Sequence, residues 1–313
     1  MLQPLTTPPG LRAKWASAPL FGPEVRDHGV TAFIGAARLT AAPRRDRPMP
    51  PVTDCGQRHG QMRWGGRAYN MGDVERIGAL GLDFAEINLL QGMKLIHEPG
   101  ELLAASREWG LSYLVHAQNE GDPCDLERLG GPFYREILLL LDLCDFISSP
   151  LLTVHFWMDG RFIPAEVVER KRPILWAMAE EGFKRGVHVC VENLSERPED
   201  LRPLLDGCPR LGLTLDIGHG QLLTRGNRSL EFLELWPHRI QHVHAHDNRG
   251  GDRVGDDLHL PIGAGVIDFT SIFRALVRAR YEGTVTLEVP VEHLPSSVQS
   301  LRRIAEEASW SLP

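Results

Sequence analysis

The sequence of 313 residues is poor in cysteine, in long apolar runs and in positive charge. Its five cysteines are scattered and form no CxxC pair, which argues against a disulfide framework and against a cysteine-rich zinc site. No stretch approaches the roughly 18 to 20 apolar residues of a membrane helix, and the N-terminus lacks a basic segment followed by an apolar core. We therefore expect a cytoplasmic protein with reduced thiols and no membrane partner.

The charge balance is acidic, with 34 lysines and arginines against 41 aspartates and glutamates and a net charge of −7. A protein that holds nucleic acid mainly by neutralising phosphates needs a basic surplus, so the charge disfavours a nucleic-acid partner. The composition, 42% hydrophobic and 24% charged, is that of a globular protein with one large domain or two small ones.

Residues 1–61 differ from the remainder of the chain. They contain nine of the 23 prolines and show no sustained hydrophobic period. Their net charge is +4, which leaves −11 on residues 62–313. This composition predicts a Pro-rich, flexible N-terminal extension, and the alternative is that Met62 is the true start. A basic tail that recruits a partner is a third interpretation. We expect residues 62–313 to form the folded domain.

From Met62 onward, short β-branched runs alternate with longer stretches typical of helices. Eight such pairs in about 250 residues match the size of an α/β (β/α)8 barrel, or TIM barrel, although alternation alone also allows a doubly wound open sheet. Pro132, Pro164 and Pro198 fit the starts of three helices, where a missing N–H does no harm. The predicted strands end at Tyr69, Asn88, His116, His155, Glu192, Asp216, His244 and Glu288. The predicted helices lie near 71–80, 98–109, 132–146, 164–185, 198–206, 229–236, 268–280 and 295–309.

Most of these strands finish on a side chain that can bind a metal. In an open sheet such residues would lie in a row, whereas in a closed barrel they converge on the carboxyl-terminal mouth, where barrel active sites are built. Imidazoles and carboxylates without thiolates suit Zn, Mn, Fe or Mg. The pattern therefore favours the barrel and predicts a metal site. The candidates are His116, His155, Glu192, Asp216, His219, His244, Asp257, His259 and Glu288.

Other polar residues near these strands have less specific interpretations. Glu86, near the end of the second strand, is a candidate for lining the pocket. His242 lies one layer below His244 and is interpreted as barrel packing, and His188 as structural. His246 is open between the rim of the site and the surface.

Five segments together resemble a known family: VENL at 191–194, LDIGH at 215–219, HVHAHDN at 242–248, HLPIGAG at 259–265 and TLEV at 286–289. They are similar to the xylose isomerase-like TIM-barrel superfamily, and the resemblance covers about residues 62–309. That superfamily includes sugar and sugar-phosphate isomerases and epimerases, related lyases, and endonuclease IV. The motifs are specific for the superfamily and only weakly specific for the reaction.

The isomerase and epimerase branch implies a single divalent metal, Mn, Mg, Co or Fe, held by Glu192, Asp216, His244 and Glu288. The resemblance then implies that Glu192 and Glu288 move a proton on opposite faces of a sugar or sugar phosphate, through a metal-stabilised enediolate. His219, Glu86 and Arg249 would bind substrate, Arg249 through a hydroxyl or a phosphate. Enzymes of this branch are often homo-oligomers. This is the function that we expect, and the sequence does not separate it from that of a related lyase.

The endonuclease IV branch implies three zinc ions that act at abasic sites in DNA. His116, His155 and Glu192 would hold the first ion, and Glu192 would bridge to a second ion held with Asp216, His244 and Glu288. The third ion would be held by His219, Asp257 and His259. The acidic barrel and four acids in the loop after His116 argue against this alternative, because they would repel a phosphate backbone. The strand-one end, GGRAYN, also lacks the opening motif of that enzyme. A metal-binding barrel without turnover is the third interpretation.

Overall fold

A computed structural model describes residues 62–88 and 99–307 of the chain. Eight parallel strands form a closed barrel in which each strand pairs with its neighbours in sequence order and β8 pairs with β1. The predicted TIM barrel is thereby confirmed, and the open sheet is excluded. The predicted extension, residues 1–61, lies outside the described residues. The strands are β1 Arg63–Ala68, β2 Phe84–Asn88, β3 Ser112–His116, β4 Leu151–Val154, β5 His188–Glu192, β6 Gly212–Asp216, β7 Ile240–Ala245 and β8 Thr284–Leu287.

A helix follows each strand and packs on the outside of the barrel, close to the predicted ranges. These helices are α1 Met71–Ala79, α2 Pro99–Trp109, α3 Tyr134–Phe146, α4 Ala165–Arg185, α5 Pro198–Gly207, α6 Ser229–Leu235, α7 Phe269–Arg278 and α8 Leu294–Glu307. Pro198 is the first residue of α5, and Pro164 immediately precedes α4. The prediction for Pro132 was wrong in detail. It lies inside a π-helical turn, Leu129–Phe133, which leads directly into α3.

Alternation along the strands separates an apolar outer face from an inner face that changes character along the barrel axis. Outward residues such as Val189 and Val191 join the main core beneath the helices. Four inward side chains form a separate apolar cluster low in the barrel: Phe84, Leu114, Leu151 and Cys190. The inward positions nearer the carboxyl ends of the strands are polar. The apolar cluster therefore lies toward one end of the barrel, and ionisable side chains occupy the other.

Among the described helices, none is both long and apolar enough to span a bilayer. Cys124, Cys144, Cys190 and Cys208 are free thiols, of which only Cys124 is exposed. Cys55 lies outside the described residues.

Candidate metal centre

Four side chains from neighbouring strands meet at the carboxyl-terminal mouth of the barrel. We call Glu192, Asp216, His244 and Glu288 the inner cluster. One possible ligand atom from each lies within 4.8 Å of the others. His244 Nδ1 is 3.3 Å from Glu192 Oε1, 3.6 Å from Asp216 Oδ2 and 3.9 Å from Glu288 Oε2. The parallel barrel brings these residues together because each stands at or next to the end of its strand.

Three atoms of the inner cluster are buried without a hydrogen-bond partner: Glu192 Oε1, Asp216 Oδ2 and His244 Nδ1. Leaving buried polar groups unpaired is costly, and two of these atoms belong to carboxylates. A divalent cation at their meeting point would satisfy all three, and a set of carboxylates with one imidazole suits Mn, Mg, Fe or Zn. The residues present therefore fit a bound metal ion.

Glu86 lies behind His244, with only 1% of its surface exposed. His244 Nε2 is 3.2 Å from Glu86 Oε1, and His242 Nε2 is 3.3 Å from Glu86 Oε2. A carboxylate on one ring nitrogen orients a histidine, so Nε2 of His244 donates to Glu86 and Nδ1 is the nitrogen that would bind a cation. His242 also contacts Thr284 and Thr286, which ties it to the barrel wall.

Two more predicted residues meet Glu192 on its second oxygen. His116 Nε2 and His155 Nε2 are each 3.0 Å from Glu192 Oε2. Their other ring nitrogens face the Ala117 carbonyl at 2.8 Å and Asn119 Oδ1 at 2.6 Å. Each ring is thus oriented from behind, as in metal-binding histidines.

A second group lies next to the inner cluster, and we call His219, His246, Asp257 and His259 the outer cluster. Its possible ligand atoms also lie within 4.8 Å of one another. Asp257 Oδ2 is 3.3 Å from His219 Nε2 and 3.1 Å from His259 Nε2. The structure therefore brings together the nine predicted ligands: seven lie in the two clusters, and His116 and His155 contact Glu192.

The open question about His246 has a structural answer. The ring is fully buried and stacks on His259, with ring centroids 4.0 Å apart. Its Nε2 is 3.2 Å from Asp216 Oδ1, whereas His244 Nδ1 faces Asp216 Oδ2. Gly218 provides the room, because a Cβ there would lie 2.0 Å from the His246 ring. His246 belongs to the site.

The clustered charges shift one another's protonation. Burial alone would raise the pKa of Glu192, but the imidazoles of His155 and His244 outweigh it and hold this pKa well below its usual value. Burial opposes the charged form of His244, yet Glu86, Glu192 and Glu288 raise its pKa well above the ordinary value. The raised pKa of His244 favours a proton that offsets part of the carboxylate charge.

Sequence reasoning missed Arg67, which reaches the site from β1. Its Nη1 donates to Glu288 Oε1 at 3.0 Å, and its guanidinium lies over the Tyr69 ring. The available signal was a charged residue at an inward position of a barrel strand. Arg249, predicted to bind substrate, is exposed on the loop after β7.

The motif residue Asn193 was not assigned a role from the sequence. Its side chain donates to the Asp216 carbonyl and accepts from the Asp216 N–H, both at 2.9 Å. These two bonds join the ends of β5 and β6, which fixes the spacing between Glu192 and Asp216.

A second buried polar group, the rim network, connects the loops after β3, β4 and β5. It consists of Glu120, Asp159, Arg161, Lys171, Ser195 and Glu196. Lys171 Nζ donates to Glu120 Oε2 and to the Trp157 carbonyl, both at 2.8 Å. Glu120 is thus buried and paired, so one of the four loop acids predicted to repel DNA carries no surface charge.

The remainder of the rim network is equally well paired. Arg161 binds Asp159 through two nitrogens, and Ser195 Oγ donates to the same carboxylate at 2.7 Å. Glu196 accepts from the backbone N–H groups of Met158, Leu194 and Ser195. Burial and Asp159 raise the pKa of Glu196 to about 7.

Several known proteins are similar to this chain in sequence or in fold. Among curated proteins, the uncharacterized protein MJ1311 of Methanocaldococcus jannaschii is 32% identical over 136 residues, 40% of this chain and 44% of the relative. The chain spans about half of the length of the curated relatives it matches.

Two solved structures share the fold across most of the chain. A D-tagatose 3-epimerase-like protein has a TM-score of 0.68 at 24% identity and covers 79% of this chain and 97% of its own. The 3-keto-D-glucoside 4-epimerase of E. coli has a TM-score of 0.61 at 18% identity and covers 79% of this chain and 100% of its own. The family model for the xylose isomerase-like TIM barrel matches residues 74–312. With that match over most of its length, the chain belongs to the xylose isomerase-like TIM-barrel family.

Proposed function

We propose that the protein is a divalent-metal-dependent isomerase or epimerase of a sugar or sugar phosphate. The observation that carries this proposal is a set of three buried atoms that face one another and form no hydrogen bond: Glu192 Oε1, Asp216 Oδ2 and His244 Nδ1. Glu288 Oε2 completes a four-residue site for Mn, Mg, Co or Fe. The scattered free thiols support a cytoplasmic location.

The chemistry requires a proton to leave one carbon and return to it or to its neighbour. A bound divalent cation would polarise the substrate carbonyl and its adjacent hydroxyl, which lowers the cost of the negative charge that develops. Glu192 and Glu288 stand on β5 and just after β8, so they approach the site from different sides of the barrel. One removes the proton and the other returns it. His219 and Arg249 bind substrate oxygens, and Glu86 orients His244.

The named sugar epimerases with the same fold support the choice of substrate class. They leave open which sugar is used, because the likeness is one of fold at low sequence identity.

The test is proton exchange on a panel of ketoses, aldoses and their phosphates, followed by NMR in D2O with Mn²⁺-loaded protein. Glu192→Gln and Glu288→Gln should each lower turnover by about a thousandfold or more, since each removes a proton-transferring group. The matched control is Glu234→Gln, an exposed glutamate on α6, which should retain the parent rate. A near-normal rate in either site variant would overturn the two-glutamate mechanism.

A second candidate is a multinuclear zinc phosphodiesterase of the endonuclease IV type. The observation that favours it is the contact of both His116 and His155 with Glu192 Oε2, together with Asp257 between His219 and His259. The net charge of −11 on residues 62–313 still argues against a duplex partner. The zinc-loaded protein would nick a duplex containing an abasic site, and His259→Ala would abolish the nicking. Absence of nicking by the parent would eliminate this candidate.

A further inference from the structure

The described part of β1 contributes one cation to the site, and its register decides which carboxylate it meets. Gly66 pairs with Leu287 on β8, so Arg67 stands beside Glu288. On its other side Arg67 lies opposite Glu86 in the register of β1 and β2. Both oxygens of the Glu86 carboxylate, however, face His242 and His244. Arg67 therefore pairs with Glu288, and its side chain is only 11% exposed.

The two oxygens of Glu288 consequently face different partners. Oε1 accepts from Arg67 Nη1 at 3.0 Å, while Oε2 faces His244 Nδ1 at 3.9 Å and His259 Nδ1 at 3.6 Å. The planar guanidinium lies 5.0 Å from the centre of the Tyr69 ring, which restricts its rotation. An arginine held in this way fixes the orientation of the carboxylate that it binds.

We infer that Arg67 is a positioning residue for Glu288: it occupies Oε1 and leaves Oε2 as the oxygen that faces the metal and the substrate. This inference rests on the proposed function. It implies that Glu288 acts through a single oxygen and that Arg67 influences the metal site only through Glu288. A carboxylate released from Arg67 would rotate, and the site would lose part of its affinity for a cation as well as its activity.

The test measures Mn²⁺ affinity by titration calorimetry, without any sugar, for the parent and for Arg67→Met and Arg67→Lys. We expect Arg67→Met to weaken Mn²⁺ binding about tenfold or more, because groups that orient a ligand typically contribute this much. Arg67→Lys keeps the charge but lacks the planar guanidinium, so its Mn²⁺ affinity should lie between those of the parent and of Arg67→Met. Arg76→Met is the control, since Arg76 is largely exposed on α1 and should leave the affinity unchanged.

A double-mutant cycle separates positioning from a general structural effect. In a Glu288→Ala background, Arg67→Met should change Mn²⁺ affinity less than twofold, because the residue that Arg67 positions is gone. An equal loss in both backgrounds would overturn the inference, and so would parent-like affinity in both Arg67 variants. If Arg67→Met does not fold, Arg67→Lys decides the matter through the same cycle. Absence of Mn²⁺ binding by the parent would overturn the proposed function together with the inference, whereas unchanged binding in the variants overturns the inference alone.

Discussion

Two groups of buried charges lie within the same end of the barrel, and they differ in how their atoms are paired. In the rim network, Lys171, Glu120, Asp159 and Arg161 all have partners of opposite charge at hydrogen-bond distance. In the inner cluster, three atoms have no hydrogen-bond partner and point toward one another. Buried charges that are fully hydrogen-bonded hold loops in place, whereas buried polar atoms that lack hydrogen bonds and face a common point indicate that a ligand completes the site. We therefore assign a structural role to the rim network and a ligand-binding role to the inner cluster.

The largest effect that would sharpen this comparison is loss of stability in the rim network. Lys171→Met leaves the buried Glu120 carboxylate unpaired and should lower the free energy of unfolding by about 3 to 5 kcal/mol. The double variant Lys171→Met with Glu120→Gln should recover most of that loss. Urea unfolding measures both, and the Mn²⁺ affinity should stay within about twofold of the parent. A double variant as unstable as the single one would mean that the ion pair is not what Lys171 provides.

At the inner cluster, the stability of the folded protein should depend on bound metal. At a Mn²⁺ concentration of a hundred times Kd, binding should stabilise the folded protein by about 2.7 kcal/mol. For a domain of this size, that corresponds to a rise in Tm of roughly 5 to 11 °C. Thermal denaturation with and without chelator measures the shift. Asp216→Asn is the matched variant, and an undiminished shift in it would place the metal elsewhere.

A smaller effect is the pH dependence of metal binding. Without metal, Glu86, Glu192 and Glu288 raise the pKa of His244 well above its usual value, against the effect of burial, which favours a second ring proton, on Nδ1. A cation on Nδ1 must displace that proton. Mn²⁺ affinity should therefore rise about tenfold per pH unit until the pH exceeds this pKa. Calorimetry in buffers of different ionisation enthalpy counts the released proton. Affinity that is constant with pH would contradict the assignment of His244 as a ligand.

Much of the site could be predicted because the ends of the barrel strands are visible in the sequence as polar residues that follow apolar runs. His116, Glu192 and Asp216 each follow an apolar run and each close a strand, and the parallel topology then fixes where they meet. The fold itself followed from the strand and helix alternation together with these polar ends.

Contacts between distant segments could not be predicted from the sequence. Arg67 and Glu288 are 221 residues apart in the sequence, and they meet only because β1 pairs with β8 to close the barrel. The sequence predicts Glu120 to be one of the acids that repel a phosphate backbone, whereas in the structure it is buried and paired with Lys171, 51 residues later. The place of His246 depended on the small Gly218 and on stacking with His259. Each of these depends on tertiary distances, which local patterns of hydrophobicity do not contain.

The central claim is that the inner cluster binds one catalytic divalent cation, and elemental mass spectrometry tests it most directly. The protein is purified with neither added metal nor chelator, and the metal bound per chain is counted beside an Asp216→Asn variant. The account predicts close to one Mn, Mg, Co or Fe per chain in the parent, and a loss of that metal in the variant. Two or three zinc ions per chain would instead support the multinuclear alternative. A parent without bound metal, which also fails to take up added Mn²⁺, would contradict the account.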